Sequence, residues 1–313
     1  MKDFSIVIPL LNESESIPVL AREIEEALNS MTNNWECIWI DDGSIDSSWI
    51  ELNKLSVRHS ALKLSRNLGQ SSAIMAGCDH AKFDIIVTLD ADLQNNPKDI
   101  LRLLESLNES LDCVCGVRKK RNDRLISRRI PSYIANWLAR RVTGVPVTDL
   151  GCTLKIFRKH LVTDNRLIGE MHRVLPVYFH LSGARMAEIA VDHRSRRFGN
   201  SKYGLNRIFK FMADILLAKV MSKITTRPLY FFGTISLVCL MMGLMIIFAE
   251  IARSLYFPGL LQTTLFNYVL ILVSIAMLSL SLIMTVFGLL SEVIIRKSSS
   301  TNEKSHYNVI ESK

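Results

Sequence analysis

Through roughly the first two-thirds of the chain, short apolar runs rich in β-branched residues alternate with stretches whose apolar positions return every three or four residues. Phe4 to Leu10 (FSIVIPL), Trp35 to Ile40 (WECIWI), Ala61 to Leu64 and Ile85 to Leu89 read as four strands. Between them, Ser16 to Met31 places Ile17, Leu20, Ile24, Ala27 and Leu28 on one helical face. Ser47 or Ser48 is suited to cap a helix beginning near Trp49, and Gln70 to His80 reads as a helix of small residues. Pro97 fits the first turn of the helix after it. Residues 112–117 and 185–192 read as further strands. Strand and helix units alternating at this length predict a parallel α/β sheet.

The pattern changes towards the C-terminus. Leu205 to Thr226 is amphipathic, with Ile208, Phe209, Met212, Ile215, Leu216 and Val220 interleaved with Arg207, Lys210, Lys219 and Lys223. Such a helix either lies at a bilayer interface or packs on the domain before it. Leu229 to Ala252 carries only Glu250 as a charge, and Leu265 to Leu290 carries none. Each exceeds the roughly 20 residues needed to cross a bilayer, and core helices rarely stay apolar on every face for so long. Lys219, Lys223 and Arg227 precede the first span, Arg296 and Lys297 follow the second, and the connecting loop from Arg253 to Thr264 offers one cation. The positive flanks predict that both termini and the N-terminal domain are cytoplasmic, on the inner membrane. Met1-Lys2-Asp3 runs straight into a strand, so no signal-peptide pattern is expected. The serine-rich tail after Lys297 is expected to be disordered.

Composition adds three constraints. The chain has 313 residues, 49% of them hydrophobic, enough for one sizeable domain and a smaller one. Its six cysteines form no Cys-x-x-Cys framework, and Cys113 and Cys115 read as buried strand residues in a reducing compartment. The net charge of +8 is concentrated between Arg118 and Arg141 and again at Arg194, Arg196, Arg197 and Lys202. No nucleic-acid motif accompanies these clusters; beside two spans, anionic headgroups or a lipid phosphate are the partners they suit, and nucleic acid is not.

The chemistry concentrates where strands end. The fourth strand stops at Asp90-Ala91-Asp92, and two carboxylates at i and i+2 reach a divalent cation where a strand opens into a loop. Asn12-Glu13 and Asp41-Asp42 follow the first two strands, and in a parallel sheet the three loops share one edge. Carboxylates in such a cleft accept hydrogen bonds from a base and ribose, or hold the metal that neutralises a diphosphate. There is no G-x-G-x-x-G after the first strand and no G-x-x-x-x-G-K-[ST], so a dinucleotide dehydrogenase and a P-loop ATPase are poor readings.

Seven blocks in order, IVIPLLNES (6–14), IDDGSIDSS (40–48), LSRNLGQSSAIMAG (64–77), TLDADLQNNP (88–97), DLGCTLKIFR (149–158), GEMHRVLP (169–176) and RRFGNSKYG (196–204), give the chain its resemblance to the inverting family 2 glycosyltransferases of the GT-A fold. The branch it resembles is that of the dolichyl- and polyprenyl-phosphate sugar synthases, including bactoprenol glucosyltransferases, whose bacterial members also end in two spans. From first to last the blocks span about two-thirds of the chain. The resemblance implies an α/β GT-A domain with a mostly parallel central sheet over 1–204, an amphipathic juxtamembrane helix over 205–227, a membrane domain over 228–295 with spans near 229–252 and 265–290, and a polar tail over 296–313.

It also implies roles. Leu10, Glu13, Asp41, Asp42 and Asp90 would hold the nucleotide sugar, and Asp90, Asp92 and Gln94 would surround Mg²⁺ or Mn²⁺ and the diphosphate. Arg118, Arg196, Ser201 and Lys202 would bind the phosphate of a polyprenyl phosphate such as undecaprenyl phosphate. Asp90, Asp92 and Asp149 would be catalytic, with Asp149 facing the donor sugar, UDP-glucose, another UDP-hexose or GDP-mannose. An acceptor phosphate is already ionised at pH 7, so positioning and metal stabilisation of the leaving group suffice without a strong base. Several residues also admit plainer roles: Gln94 at a helix entry, Asp149 in a turn, His172 in helix packing. The chain departs from the family's pattern at Asn200, where Glu is frequent, and at Leu10-Leu11. Two rival readings are a processive polysaccharide synthase, whose Gln-x-x-Arg-Trp block is missing here, and a non-catalytic membrane-anchored binding module. The two spans leave room for packing against copies of the chain.

Overall fold

The computed structural model describes residues 2–31, 34–118, 130–163, 167, 169–195, 207–256, 264–298 and 309–312. β1 (Phe4–Leu10) is buried along its whole length at the middle of one sheet. On one side it pairs in parallel with β2 (Trp35–Asp41), which pairs in parallel with β3 (His59–Leu64). On its other side it pairs in parallel with β4 (Ile85–Thr88). Beyond β4 lie β6 (Lys155–Arg158), β5 (Cys113–Arg118) and β7 (Met186–Val191), giving the order β7-β5-β6-β4-β1-β2-β3-β8. β6 runs antiparallel to both its neighbours, so β5 regains the direction of β4. The sheet is mixed and mostly parallel, as the alternating pattern predicts.

Strand alternation divides the core between two faces. Phe4, Ile6, Ile8 and Leu10 of β1 face one cluster, with α1 (Ile17–Leu28), α2 (Ser48–Leu52) and α4 (Asp99–Ser106). Val7 faces the other, with α3 (Gln70–His80), α5 (Ile130–Thr143), α6 (His160–Thr163), α7 (Leu175–Leu181) and Ile215 and Ala218 of α8 (Arg207–Thr226). A Cβ on Gly77 would stand 2.5 Å from Val7 Cγ1 and 2.7 Å from Ile40 Cδ1. Glycine there lets α3 lie close on β1 and β2.

Four features depart from the sequence reading. β6 was not expected; it is only four residues long, with a cation at each end. α5 lies inside the basic stretch, where charge hides its apolar face. α4 begins at Asp99, two residues after Pro97, which instead accepts a turn bond from Ile100 N–H. The tail contains β8 (Val309–Ser312), which pairs antiparallel with the outer edge of β3.

The chain divides into two compact units, residues 1–219 with 305–313, and residues 220–304. The second contains α9 (Pro228–Tyr256) and α10 (Thr264–Ser298), longer than the apolar runs because their charged ends stay helical. Within them Pro228–Tyr256 and Asn267–Ile295 are long and apolar enough to cross a membrane. Their side chains mostly face outward, as with Phe248 and Leu272. The two helices meet through small and polar residues: Gly243 lies against Leu278, and Ser236 Oγ lies 2.8 Å from Thr285 Oγ1.

Candidate active site

Strand order puts the acidic loops side by side. Leu10 lies opposite Asp41 and Val7 opposite Thr88, so the loops after β1, β2 and β4 open on one edge. This is also where the chain switches from one side of β1 to the other, the usual ligand position in an open α/β sheet.

The first two loops are stitched together. Asn12 N–H donates to Ser44 Oγ (2.8 Å), Glu13 N–H to Ser48 Oγ (3.0 Å) and Ile45 N–H to Asn12 Oδ1 (2.9 Å). Ser48 thereby serves Glu13 instead of capping α2, and Ser47 at the N-cap makes no side-chain cap bond. Glu13 Oε2 accepts from Ser16 Oγ at 2.9 Å. Gly43 has a φ of 77°, and a Cβ on it would stand 2.6 Å from Asn67 N, so the loops after β2 and β3 touch backbone to backbone.

The adjacent aspartates differ in role. Asp42 accepts from Leu68 N–H (2.7 Å) and Gly69 N–H (2.9 Å), fixing the entry to α3. Burial raises its carboxyl, with these two bonds acting the other way. Asp41 Oδ1 accepts from Ser44 N–H at 2.8 Å, while its buried Oδ2 has no hydrogen-bond partner. Asp41 thus keeps one buried carboxylate oxygen unsatisfied at the edge of the cleft. Leu10 is buried beneath them in the core, and its carbonyl accepts from Asp42 N–H at 2.9 Å.

Just past the end of β4, Gln70 Nε2 donates to Asp90 Oδ1 at 2.9 Å, and Thr153, whose hydroxyl accepts from Asn95 Nδ2 at 2.9 Å, lowers the Asp90 carboxyl. Asp92 Oδ1 accepts from Gln94 N–H at 3.2 Å across Leu93, whose φ is 63°. Asn12 and Leu93 are the two non-glycine residues with positive φ among the described residues, and both lie in these cleft loops. That conformation is easily reached by asparagine but costly for leucine, and such strain gathers at ligand sites. The Gln94 carbonyl accepts from Arg194 N–H at 2.8 Å, tying this loop to the segment after β7.

Loss of solvent, and then the charge of Asp92, push the Asp90 carboxyl up to about 7, with Thr153, Lys155 and Gln70 opposing. A carboxylate whose ionisation is opposed by a like-charged neighbour suits a hard divalent cation. No third acidic, histidine or cysteine ligand joins them among the described residues. Mg²⁺ or Mn²⁺ held by Asp90 and Asp92 would complete its shell from diphosphate oxygens, water and neutral donors such as Gln94.

Arg118 closes β5 on the same edge. Its Nε donates to Asp149 Oδ2 at 2.7 Å and its Nη2 to Asp149 Oδ1 at 2.8 Å, a bidentate pair. The structure therefore joins two residues expected on opposite sides of the reaction. Glu188 of β7 holds the peptide before Asp149: it accepts from Thr148 N–H, from Thr148 Oγ1 (2.8 Å) and from Asp149 N–H (3.2 Å). Arg196, Ser201 and Lys202 lie outside the described residues. His172 is pinned to α3, with Nδ1 3.0 Å from Ser71 Oγ and its N–H donating to the same oxygen at 3.0 Å.

Sequence reasoning missed Gln70, Thr153 and Glu188. Glu188 did leave a signal, as a lone acid inside an otherwise apolar strand; Gln70 and Thr153 look like ordinary polar residues.

Residues 5–164 match the family Glycosyl transferase family 2. The dodecaprenyl-phosphate galacturonate synthase of Rhizobium johnstonii is 39% identical over 242 residues, covering 75% of this chain and 72% of that protein. The undecaprenyl-phosphate 4-deoxy-4-formamido-L-arabinose transferase of Salmonella choleraesuis is 40% identical over 233 residues, covering 73% and 69%. Among solved structures, glucosyl-3-phosphoglycerate synthase from Mycobacterium tuberculosis, bound to Mn²⁺, UDP and phosphoglyceric acid, has a TM-score of 0.55 at 17% identity over 70% of this chain and 78% of that one. That likeness shows the GT-A fold alone. The acidic edge of a mostly parallel sheet, the matched domain and the relatives agree: the chain belongs to glycosyl transferase family 2, as a GT-A glycosyltransferase related to the polyprenyl-phosphate sugar synthases.

Proposed function

We propose that the chain transfers a sugar from a nucleoside diphosphate to the phosphate of a polyprenyl lipid, undecaprenyl phosphate in a bacterial inner membrane, supplying a lipid-linked sugar for envelope glycans. The observation that carries this reading is the shared sheet edge, which holds the Asp90–Asp92 pair and the Arg118 guanidinium. Its relatives are named for the same transfer with galacturonate and with 4-deoxy-4-formamido-L-arabinose.

Asp41 Oδ2 accepts from the nucleoside, and the stitched loops of Asn12 to Ser48 wall its pocket. Asp90 and Asp92, with Gln94, hold the divalent ion, which when bound offsets charge on the departing nucleoside diphosphate. Arg118, with Arg196, Ser201 and Lys202, orients the acceptor phosphate. One phosphate oxygen forms a bond to the anomeric carbon as the bond from that carbon to the diphosphate oxygen breaks, the electron pair leaving with the diphosphate. In-line attack inverts the anomeric centre. Asp149, which pairs with Arg118, faces the sugar in this reading.

The two apolar helices cross the membrane as a hairpin, with the domain of residues 1–204 and the tail both cytoplasmic. The basic flanks support this orientation, as does β8, which follows the second apolar helix and pairs with β3 of the N-terminal sheet.

The test is a transfer assay on detergent-purified protein with undecaprenyl phosphate. Donors are radiolabelled UDP-glucose, UDP-galacturonate, UDP-4-deoxy-4-formamido-L-arabinose and GDP-mannose, each with Mg²⁺, Mn²⁺ or EDTA. Metal-dependent passage of label into organic solvent with one donor is the expected result and identifies the sugar. No lipid product from any donor, with nucleotide binding intact, overturns the reading.

A further inference from the structure

We propose that Asp149 occupies the acceptor-phosphate position on Arg118 in the resting enzyme, and that the arriving phosphate exchanges with it. The inference rests on the reading of Arg118 as part of the acceptor site. Both nitrogens that the guanidinium presents along one edge are taken by the Asp149 carboxylate, at 2.7 and 2.8 Å, in the side-by-side geometry with which arginine grips a carboxylate or a phosphate alike. The pair is shielded, with side-chain exposures of 14% and 9%. An anion that reaches Arg118 in so dry a place meets the Asp149 charge at contact distance, and two like charges there are strongly unfavourable. Phosphate and Asp149 therefore bind the same edge in alternation.

The backbone fixes how Asp149 leaves. Glu188 holds the Thr148 and Asp149 N–H groups and the Thr148 hydroxyl, so the peptide stays anchored to β7. Release is a side-chain rotation about that anchor, which also gives up the bond that Asp149 Oδ2 accepts from Arg118 N–H at 3.3 Å. The carboxylate is thereby set free when the acceptor phosphate takes its place, and the resting enzyme carries its own surrogate for the acceptor.

The test measures binding of farnesyl phosphate to the full-length protein in detergent by titration calorimetry, with thermal unfolding as the check on folding. Asp149→Asn keeps the shape and removes the competing charge, and should tighten farnesyl phosphate about tenfold. Asp149→Glu keeps the charge and should bind like the wild type. Arg118→Gln should bind at least about tenfold more weakly. Weaker binding by Arg118→Gln without tightening by Asp149→Asn overturns the exchange and leaves the acceptor reading standing. Unchanged binding by Arg118→Gln overturns both. Equal shifts for Asp149→Asn and Asp149→Glu mark a structural effect and also overturn the exchange. Where Asp149→Asn does not fold, Glu188→Gln supplies the second variant: it keeps both members of the pair, loosens the anchor and should tighten the ligand several-fold, and no tightening overturns the exchange.

Discussion

Gln70 and Asp90 are joined by a 2.9 Å hydrogen bond from the first residue of α3 to the loop just past β4. One oxygen of the half-buried carboxylate is thus oriented by a neutral donor. Gln70→Ala should leave thermal stability close to wild type and lower kcat/KM about 10- to 100-fold, as when an outer partner of a metal ligand is removed. Most of the loss should appear as a raised requirement for metal. Unchanged metal dependence at steady state would show that Asp90 needs no such orientation.

Asp92 lies in a loop at the sheet edge, outside the strands. Asp92→Asn should fold normally and lose more activity than the outer-partner change, beyond roughly 100-fold. Turnover at the wild-type rate in saturating Mn²⁺ would remove Asp92 from the metal site.

Far from the cleft, Asp112 binds the Arg185 guanidinium and backbone N–H and lies 3.6 Å from Arg158 Nε, joining β5, β6 and β7. Hydrogen bonds from Arg185, working against burial, hold its carboxyl below the usual range. A depressed folded-state value stabilises the protein fully above the unfolded value near ~3.9, and that stabilisation is lost as pH falls through the folded value. Asp112→Asn should therefore lower the unfolding temperature at pH 7, and its gap to wild type should close as pH drops below about 4. Thermal scans across that range decide the point; a constant gap would assign the loss to packing.

Gly77→Ala drives a methyl group into Val7 and Ile40, both buried in the sheet. The expected cost is about 1–3 kcal/mol, seen in denaturant unfolding. A neutral result would mean that α3 shifts outward without loss, in which case the Gln70–Asp90 bond should lengthen and donor affinity fall with it.

Much of this was legible beforehand for a physical reason. β1, β2 and β4 are buried along all or nearly all of their length, so their apolar runs are close to continuous and end sharply where the sheet meets solvent. Acids placed at those ends stand out against them. β6 escaped because Lys155 and Arg158 bracket only two apolar residues, although Lys155 is itself buried. The relationships within the site escaped for a different cause. Asp42 and Asp41 are neighbours of one type, and their partners set them apart: Leu68 and Gly69 N–H from another loop for Asp42, Ser44 N–H from its own loop for Asp41. Arg118 and Asp149 meet through tertiary structure, with no local spacing to announce it.

β8 bears on the order in which the protein is made. Ser312 pairs with Leu62, so a strand of the N-terminal sheet waits for a partner that is synthesised only after α9 and α10. Until then β3 presents an open edge, with unpaired backbone groups able to recruit any extended segment nearby. That edge can be completed only once the whole chain, both apolar helices included, has been made.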